Sequence, residues 1–487
     1  MKKLAIIIPS LFVLGACTKH ISDLNVDPKR PLVVPSYTLF SNAQKNLVDQ
    51  VTSSSVNYNV FRLLSQQWTE TTYTDESNYN LTTRTIPDQV WLVFYQDVLK
   101  DFQEAKKYIP IDVIDSKGVL NVPQQKNDLA ITEVMEVYAY SNLVNTFGDI
   151  PYSQAFDSTN LFPKYDDAKT VYADLLKRLD AAITDLNVDP GAGSFDSPFG
   201  SADLLYGGDV TKWIKFANSL KLKLGMVLAD SDPATAKTAV ESAVAAGVFT
   251  SNDDNAIFQY LGAQPNTNPI YLDLVASGRN DFVPTTTLIN IMKPLDDPRL
   301  PAFFTEDPNG SYSGGVPGKG NTYTNFSHVA DEIKAPAFPS DLLDYSEVSF
   351  LLAEGKERGM NTGSGSAEDY YNAAITASIE YWGGSAGDAT TYLAQTGVAY
   401  STATGDYKQK IGTQKWIALY NRGFDAYTEQ RRFDYPVLAV PSKATSGFPA
   451  RFPYPISEQN LNQKNYEAAS AAIGGDKVTT KLFWDKF

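Results

Sequence analysis

Apolar positions recur at three- and four-residue spacing along most of this chain, the period of helices that bury one stripe. Residues 36–50 carry Tyr37, Phe40, Ala43 and Leu47 in that register. Pro87 and Asp88 open a segment whose stripe is Trp91, Phe94, Tyr95, Val98, Leu99 and Phe102. Pro123 precedes another, marked by Leu129, Val134, Val137, Tyr138, Leu143 and Val144. "DDAKTVYADLLKRLDAAITDL" and "TKWIKFANSLKLKLGMVLA" read as capped amphipathic helices. "DPATAKTAVESAVAAGVF" sets Asp232 as an N-cap with Pro233 at the first helical position. "YSEVSFLLAEGKERG", "SAEDYYNAAITASIEYWG" and "QKWIALYNRGFDAYTEQRRF" continue the series. No comparable run of alternating strands appears, so the fold class is all-α.

The helices arrive in pairs. "LLAEGKERG" followed by "AEDYYNAAITASIEYWG" has the small-residue helix, turn and aromatic-bearing second helix of a tetratricopeptide-like hairpin. Residues 124–147 with 167–186, and 211–229 with 233–247, form looser pairs. A helical bundle has the same periodicity. Residues 250–345 differ: Gly, Pro, Asn and Asp crowd there with Tyr, Phe and Arg interleaved, as in "SGRNDFVP" and "DPNGSYSGGVPGKGNTYTNF". Irregular stretches of that length in a domain are usually functional or disordered, and the aromatic content argues against disorder.

The start of the chain obeys another pattern. Lys2 and Lys3 precede an apolar run over residues 4–14, and Gly15 and Ala16 lead to Cys17, the only cysteine among 487 residues. This is the layout of a secretory signal, too short to span a bilayer. "LGAC" resembles the bacterial lipobox, which implies that Cys17 becomes the lipidated first residue of the mature chain. Two or more acyl chains hold a membrane at ~0.8 kcal/mol per buried methylene. The expected organisation is a signal peptide over 1–16, a lipidated tether over 17–35, and a helical domain over 36–487 with its insert at about 250–345. Cleavage would remove two of the 41 basic side chains and none of the 56 acidic ones, taking the formal charge from −15 to −17. Such a balance disfavours nucleic acid and electrostatic binding to anionic lipid.

The chemistry on offer is sparse. With Cys17 lipidated no thiol is left for disulfides, zinc or nucleophilic attack. Of the two histidines, His20 lies in the tether and His328 reads as a loop residue with no motif around it. No phosphate-cradling glycine motif stands at a strand-to-helix turn, and no cofactor is expected. Ser251 to Asn255 and Asp296-Asp297 lack EF-hand spacing and read as caps and turns. Glycoside hydrolysis needs only two carboxylates, so an enzyme of that class stays open without a pair to name.

"KNDLAITEVMEVYAYSNLVNTFGDIPYSQAF" strongly resembles the central segment of the SusD/RagB family of surface nutrient-binding lipoproteins. "LNVDP", "WIKFANSLKLKLGMVLA", "AGVFTSNDDNAIFQY", "LLAEGKERG", "QKWIALYNRGFDAYTEQRRFDYP" and "RFPYPISEQNLN" follow in the family's order, from Cys17 almost to Phe487. The resemblance implies four tetratricopeptide-like hairpins with irregular segments packed on them as a ligand face. It implies a lipid-anchored outer-membrane location facing outward. It also implies a SusC-like TonB-dependent barrel as partner, over which such a protein sits as a lid that delivers an oligosaccharide or, in some branches, a peptide without cleaving it. A helical-repeat scaffold that binds only proteins is the remaining alternative.

Most of these motifs are expected to pack rather than bind. Trp416, Leu419 and Tyr420 share a helical stripe, Gly148 and Pro151 set a turn, and Arg431 and Arg432 are expected to pair with nearby carboxylates. The ligand candidates lie in loops. "QQWTETTYTDESNYN" sets Trp68, Tyr73 and Tyr79 beside Asp75 and Asn80, and it resembles an aromatic/Asp/Asn segment in this branch of the family. In the insert, Arg279, Tyr312 and Tyr323 offer the same mix. Flat aromatic faces suit the C–H faces of sugar rings, and amides and carboxylates take the hydroxyls.

Overall fold

The computed structural model describes residues 34–112, 122–186 and 199–487, so the expected signal peptide, the Cys17 lipidation site and most of the expected tether lie outside the described residues. Ser36–Phe487 forms one unit. Its helices are α1 (Ser36–Thr52), α2 (Ile86–Leu92), α3 (Lys100–Asp112), α4 (Val122–Phe147), α5 (Ala168–Asp185), α6 (Val210–Val227) and α7 (Pro233–Ala246). After the insert come α8 (Tyr345–Glu357), α9 (Ala367–Tyr381), α10 (Tyr407–Ala418) and α11 (Gly423–Phe433). Between α2 and α3 the helix widens to π-turns over Val93–Leu99.

Each start signal acts as the sequence implies. Asp167, Asp209, Asp232 and Asp344 each accept a backbone N–H from the first turn of α5, α6, α7 and α8. Ser366 and Asp369 close a capping box at α9. The three pairs seen in the sequence are found as α4 with α5, α6 with α7 and α8 with α9, and a fourth forms between α1 and α3. Successive pairs touch through α3 and α4, α5 and α6, and α6 and α8, so the hairpins stack as a solenoid in which each contacts its neighbours. The all-α, tetratricopeptide-like expectation holds.

Helix α4 is buried on every side from Val134 to Phe147 except where it begins, so it runs through the interior and not along it. It ends at Gly148, whose φ of +86° is the left-handed turn that only glycine takes without strain. Ile150–Pro151 (β2) then pairs with Tyr165–Asp166 (β3), the turn expected at "FGDIPY". Trp416, Leu419 and Tyr420 are core, as their stripe implies. Arg432 meets Glu354 at 2.5 Å and Glu429 at 3.1 Å. Arg431 departs from expectation: its guanidinium donates to the carbonyls of Asn145, Ala450 and Tyr427, with its face 3.8 Å from the Tyr427 ring. Three carbonyl dipoles and an aromatic face take the place of a carboxylate there.

The strands among the described residues are two or three residues long. Besides β2 and β3, Trp68–Glu70 (β1) pairs antiparallel with Phe282–Pro284 (β5), and Ile257–Phe258 (β4) with Ser340–Asp341 (β6). The first ties the insert to the segment between α1 and α2, and the second draws the insert's two ends together.

Candidate functional site

The β1–β5 ladder brings together two loops over two hundred residues apart. Trp68 faces Pro284 and Glu70 faces Phe282. One residue on, Thr71 donates its N–H to the Asp281 carbonyl at 2.8 Å and its hydroxyl to the Asn280 carbonyl at 2.7 Å. The third part of the insert closes over the ladder. Asn321 donates to the Glu70 carbonyl, and Asn78 donates to the Gly318 carbonyl at 2.7 Å. Gly318 has φ +72°, and a Cβ there would lie 2.4 Å from Asn78 Oδ1 and 2.7 Å from Pro441 Cβ, so only glycine fits.

Above this tie lies a cavity of about 490 Å³ lined by Tyr271, Arg279, Asp281, Tyr323, Asp331 and Lys334, with Phe282 and Val329 beneath. Arg279 Nε donates to Asp281 Oδ2 at 2.5 Å. That hydrogen bond and the Asp281 charge hold the guanidinium pKa above its ordinary value, with the Tyr73 phenol adding to the effect. Tyr73, 71% exposed at φ +54°, thus stands within electrostatic reach of Arg279. Tyr323 stacks face to face on His328, centroids 3.7 Å apart and planes within 4°. His328 Nε2 lies 3.0 Å from the Tyr323 carbonyl and donates to it, which fixes the ring as a backing plate. Burial, then the charge of Asp331, raises the Tyr323 phenol pKa. Arg279 and Asp281 also line a smaller recess of about 200 Å³ with Ser54, Asn57, Arg84 and Ser277, so this ion pair is a ridge between two concavities.

Beneath the Tyr73 loop two buried carboxyls face each other. Glu70, on β1, has its pKa pushed up to about 9, first by burial and then by the hydrogen bond to Glu76 and its charge. Ser77 N–H donates to Glu70 Oε2 at 2.8 Å, and Arg84 Nε donates to Glu76 Oε1 at 2.6 Å. Glu76 Oε2 is buried without another partner. Glu70 is therefore the protonated member at neutral pH and donates across the pair, since two adjacent buried anions repel.

Two loop candidates must be corrected. Trp68 is 1% exposed, its indole N–H donating to the Tyr420 hydroxyl at 3.0 Å and its ring 5.1 Å from the Arg62 guanidinium. Tyr79 is as buried, its hydroxyl accepting from Gln66 at 2.9 Å. Both anchor the loop from below and present no face to a ligand. Asn80 is spent on a turn, its Oδ1 accepting from Thr82 and Thr83 N–H. Asp75 is exposed in the same loop. Tyr312 lines neither cavity; it packs against the core while its carbonyl accepts from Lys293. The structure thus unites Arg279 and Tyr323 in one cavity, while Tyr73 is exposed outside its lining. Sequence reading missed Tyr271, Asp281, Asp331 and Lys334. Asp331 and Lys334 pair at 2.8 Å in an i,i+3 turn, a spacing visible in "DEIK".

Among the described residues no group of three His, Cys, Asp or Glu side chains is placed to hold a metal ion, and no helix is long and apolar enough to cross a membrane. A family model described as "Starch-binding associating with outer membrane" matches residues 28–455. No curated protein matches the chain. Among solved structures, a protein titled as chitin-binding is similar with a TM-score of 0.79 and 27% identity, over 93% of this chain and all of that one. A chitin-binding SusD homologue from Flavobacterium johnsoniae follows at 0.77 and 26%, over 92% and 98%. A SusD homologue from Bacteroides uniformis has 28% identity and a TM-score of 0.76, over 92% and 99%.

Proposed function

This chain belongs to the SusD-like family, and from that premise we propose that it captures an oligosaccharide in the Arg279–Tyr323 cavity and passes it on intact. The observation that carries the reading is the convergence of Tyr271, Arg279, Tyr323 and Lys334, from separate parts of the insert, on one open cavity. The rings of Tyr271 and Tyr323 supply faces for sugar C–H groups, and the Arg279–Asp281 and Lys334–Asp331 pairs supply donors and acceptors for hydroxyls. The pairs hold one another's charge, so the cavity suits a neutral ligand better than an ion. In this reading Cys17 carries the lipid, the protein sits at the outer membrane facing outward, and a SusC-like TonB-dependent barrel receives the ligand. Two similar structures named for chitin make N-acetylglucosamine oligomers the first probe, with starch oligomers second.

The test is calorimetric titration of the mature chain, made without its lipid, against both series and a mixed peptide pool, with each sample checked for cleavage. Saturable binding with the sugar recovered whole supports capture. Released product would replace it with a glycoside hydrolase, and binding to peptides alone would move the protein to a peptide-capturing role.

A further inference from the structure

The segment that closes one side of the cavity has a second face. Val329 pairs with Phe304 and Ala330 N–H donates to the Phe303 carbonyl at 3.0 Å, fixing the segment's start on the short helix Leu300–Phe303. Its end is held by Asn268, whose backbone N–H and side-chain amide donate to the carbonyls of Pro336 and Phe338, each at 2.8 Å. Between these anchors the residues divide. Asp331, Lys334 and Pro336 line the cavity already described, whereas Glu332, Ile333, Phe338 and Pro339 line a recess of about 220 Å³ on the other side. One turn of chain, pinned at both ends, separates the two.

Trp382 forms the back of this recess. It caps the end of α9, where Gly383 at φ +85° turns the chain away. The edge-on ring of Phe303 at 4.8 Å and the nearly parallel ring of Phe338 at 6.2 Å hold the indole in place. The indole is nonetheless part-exposed. Among the described residues no hydrogen bond or ion pair takes up the Trp382 N–H or the Glu332 carboxylate. The recess therefore combines a fixed aromatic wall, small apolar walls at Ile333 and Pro339, one free donor and one free acceptor.

We propose that this recess is a second saccharide subsite, taking an N-acetylhexosamine ring of a chain whose other units occupy the Arg279–Tyr323 cavity. The proposal rests on the capture reading above. Its volume is below that of a drug-sized pocket and matches a single ring. Trp382 and Phe338 take the C–H face of the sugar. The acetamido methyl suits the apolar walls, its N–H suits the Glu332 carboxylate, and the Trp382 N–H is free for its carbonyl. A plain glucose ring would leave the apolar corner facing hydroxyls.

The experiment is titration of wild type, Glu332→Ala, Trp382→Ala and Tyr323→Ala with N-acetylglucosamine oligomers from dimer to hexamer, and with cello-oligomers of equal length. Wild type should gain at least tenfold in affinity once the oligomer spans both sites. Glu332→Ala and Trp382→Ala should erase that gain and leave the short oligomers unchanged, while Tyr323→Ala weakens every length. Glu332 is exposed, so its variant keeps the test valid should Trp382→Ala fold poorly. Unchanged length dependence in Glu332→Ala, or a wild type indifferent to length, overturns the second subsite alone. Cello-oligomers that gain equally overturn the acetamido assignment. No saccharide binding by wild type overturns the capture reading and this inference with it.

Discussion

Tyr323 and Trp68 are both aromatic residues in loop-like sequence, yet one lines the candidate cavity and the other is buried in the core beneath the loop, and substitution should separate them. Tyr323→Ala removes a half-buried ring at the cavity that stacks on His328. It is expected to weaken saccharide binding roughly 10- to 100-fold, as loss of about 1.5–3 kcal/mol of contact implies, with the melting temperature held within a degree or two. Trp68→Ala empties a filled core site and removes the donor to the Tyr420 hydroxyl, so it should cost about 3–5 kcal/mol in a denaturant titration. Glu70 gives a pH signature. Its folded pKa of about 9 lies above the ordinary 4.5, so between those values the folded chain holds a proton that the unfolded chain releases. That contribution therefore favours folding at acidic pH and is lost as pH rises toward 9. Asp128, pushed up to about 8 by burial, acts in the same direction. Glu70→Gln, which keeps the donor without the titration, should melt at a temperature less dependent on pH between 6 and 9. It should be the more stable protein at pH 9. A parallel pH dependence in both proteins would show that the carboxyl pair does not share a proton.

Among the elements, α8 and α11 are joined by buried ions as well as by apolar contact. Glu354 on α8 is held by Arg432 of α11 at 2.5 Å and by Arg358 at 2.9 Å, and Arg422 meets Glu347 at 2.5 Å and Asp425 at 2.7 Å. Lys223 of α6 reaches Asp425 and Glu347 as well. Removing Glu354 leaves the buried Arg432 guanidinium with Glu429 as its one carboxylate and Arg358 with Asp230, so Glu354→Ala should destabilise by about 2–3 kcal/mol, measured by urea unfolding, without altering affinity in the fraction that stays folded. These residues are the ones that made the motifs recognisable: "LLAEGKERG" supplies Glu354 and "EQRRF" supplies Arg432. Helix pairs were legible because period, caps and proline positions are local properties, as at Asp232-Pro233 and Ser366–Asp369. The binding face was legible only in part. Tyr73 and Arg279 stood out as polar-flanked residues in loops, but whether an aromatic in such a loop points in or out depends on which distant strand pairs with it. Trp68 faces inward because β1 pairs with β5, and nothing within "QQWTETTYTDE" specifies that partner. Tyr271 and Asp331 escaped notice for the same reason: their neighbours across the cavity are far away in sequence.

At the scale of the whole molecule, a regular stack of helical pairs carries an irregular face on segments drawn from its beginning, middle and end. The proposed Cys17 anchor belongs to this scale too. Cys17→Ser is expected to abolish lipidation and to release the protein from membranes into the soluble fraction on cell fractionation, while the isolated domain retains its ligand affinity. The tie beneath the Tyr73 loop has a consequence for the order in which the molecule is made. β1 is synthesised early, but its partner arrives with Phe282, its cover with Gly318 and Asn321, and a further clasp with Thr445, whose N–H donates to the Asn78 carbonyl at 3.0 Å. Closing such long loops is slow compared with forming adjacent helices. A chain crossing a membrane N-terminus first can therefore build helical pairs as it emerges, yet it has no working binding face until nearly all of it has arrived. In refolding from denaturant, the helical circular-dichroism signal should recover well before the capacity to bind sugar, so that under the proposed function a chain competent to capture ligand is one whose last segments have already arrived.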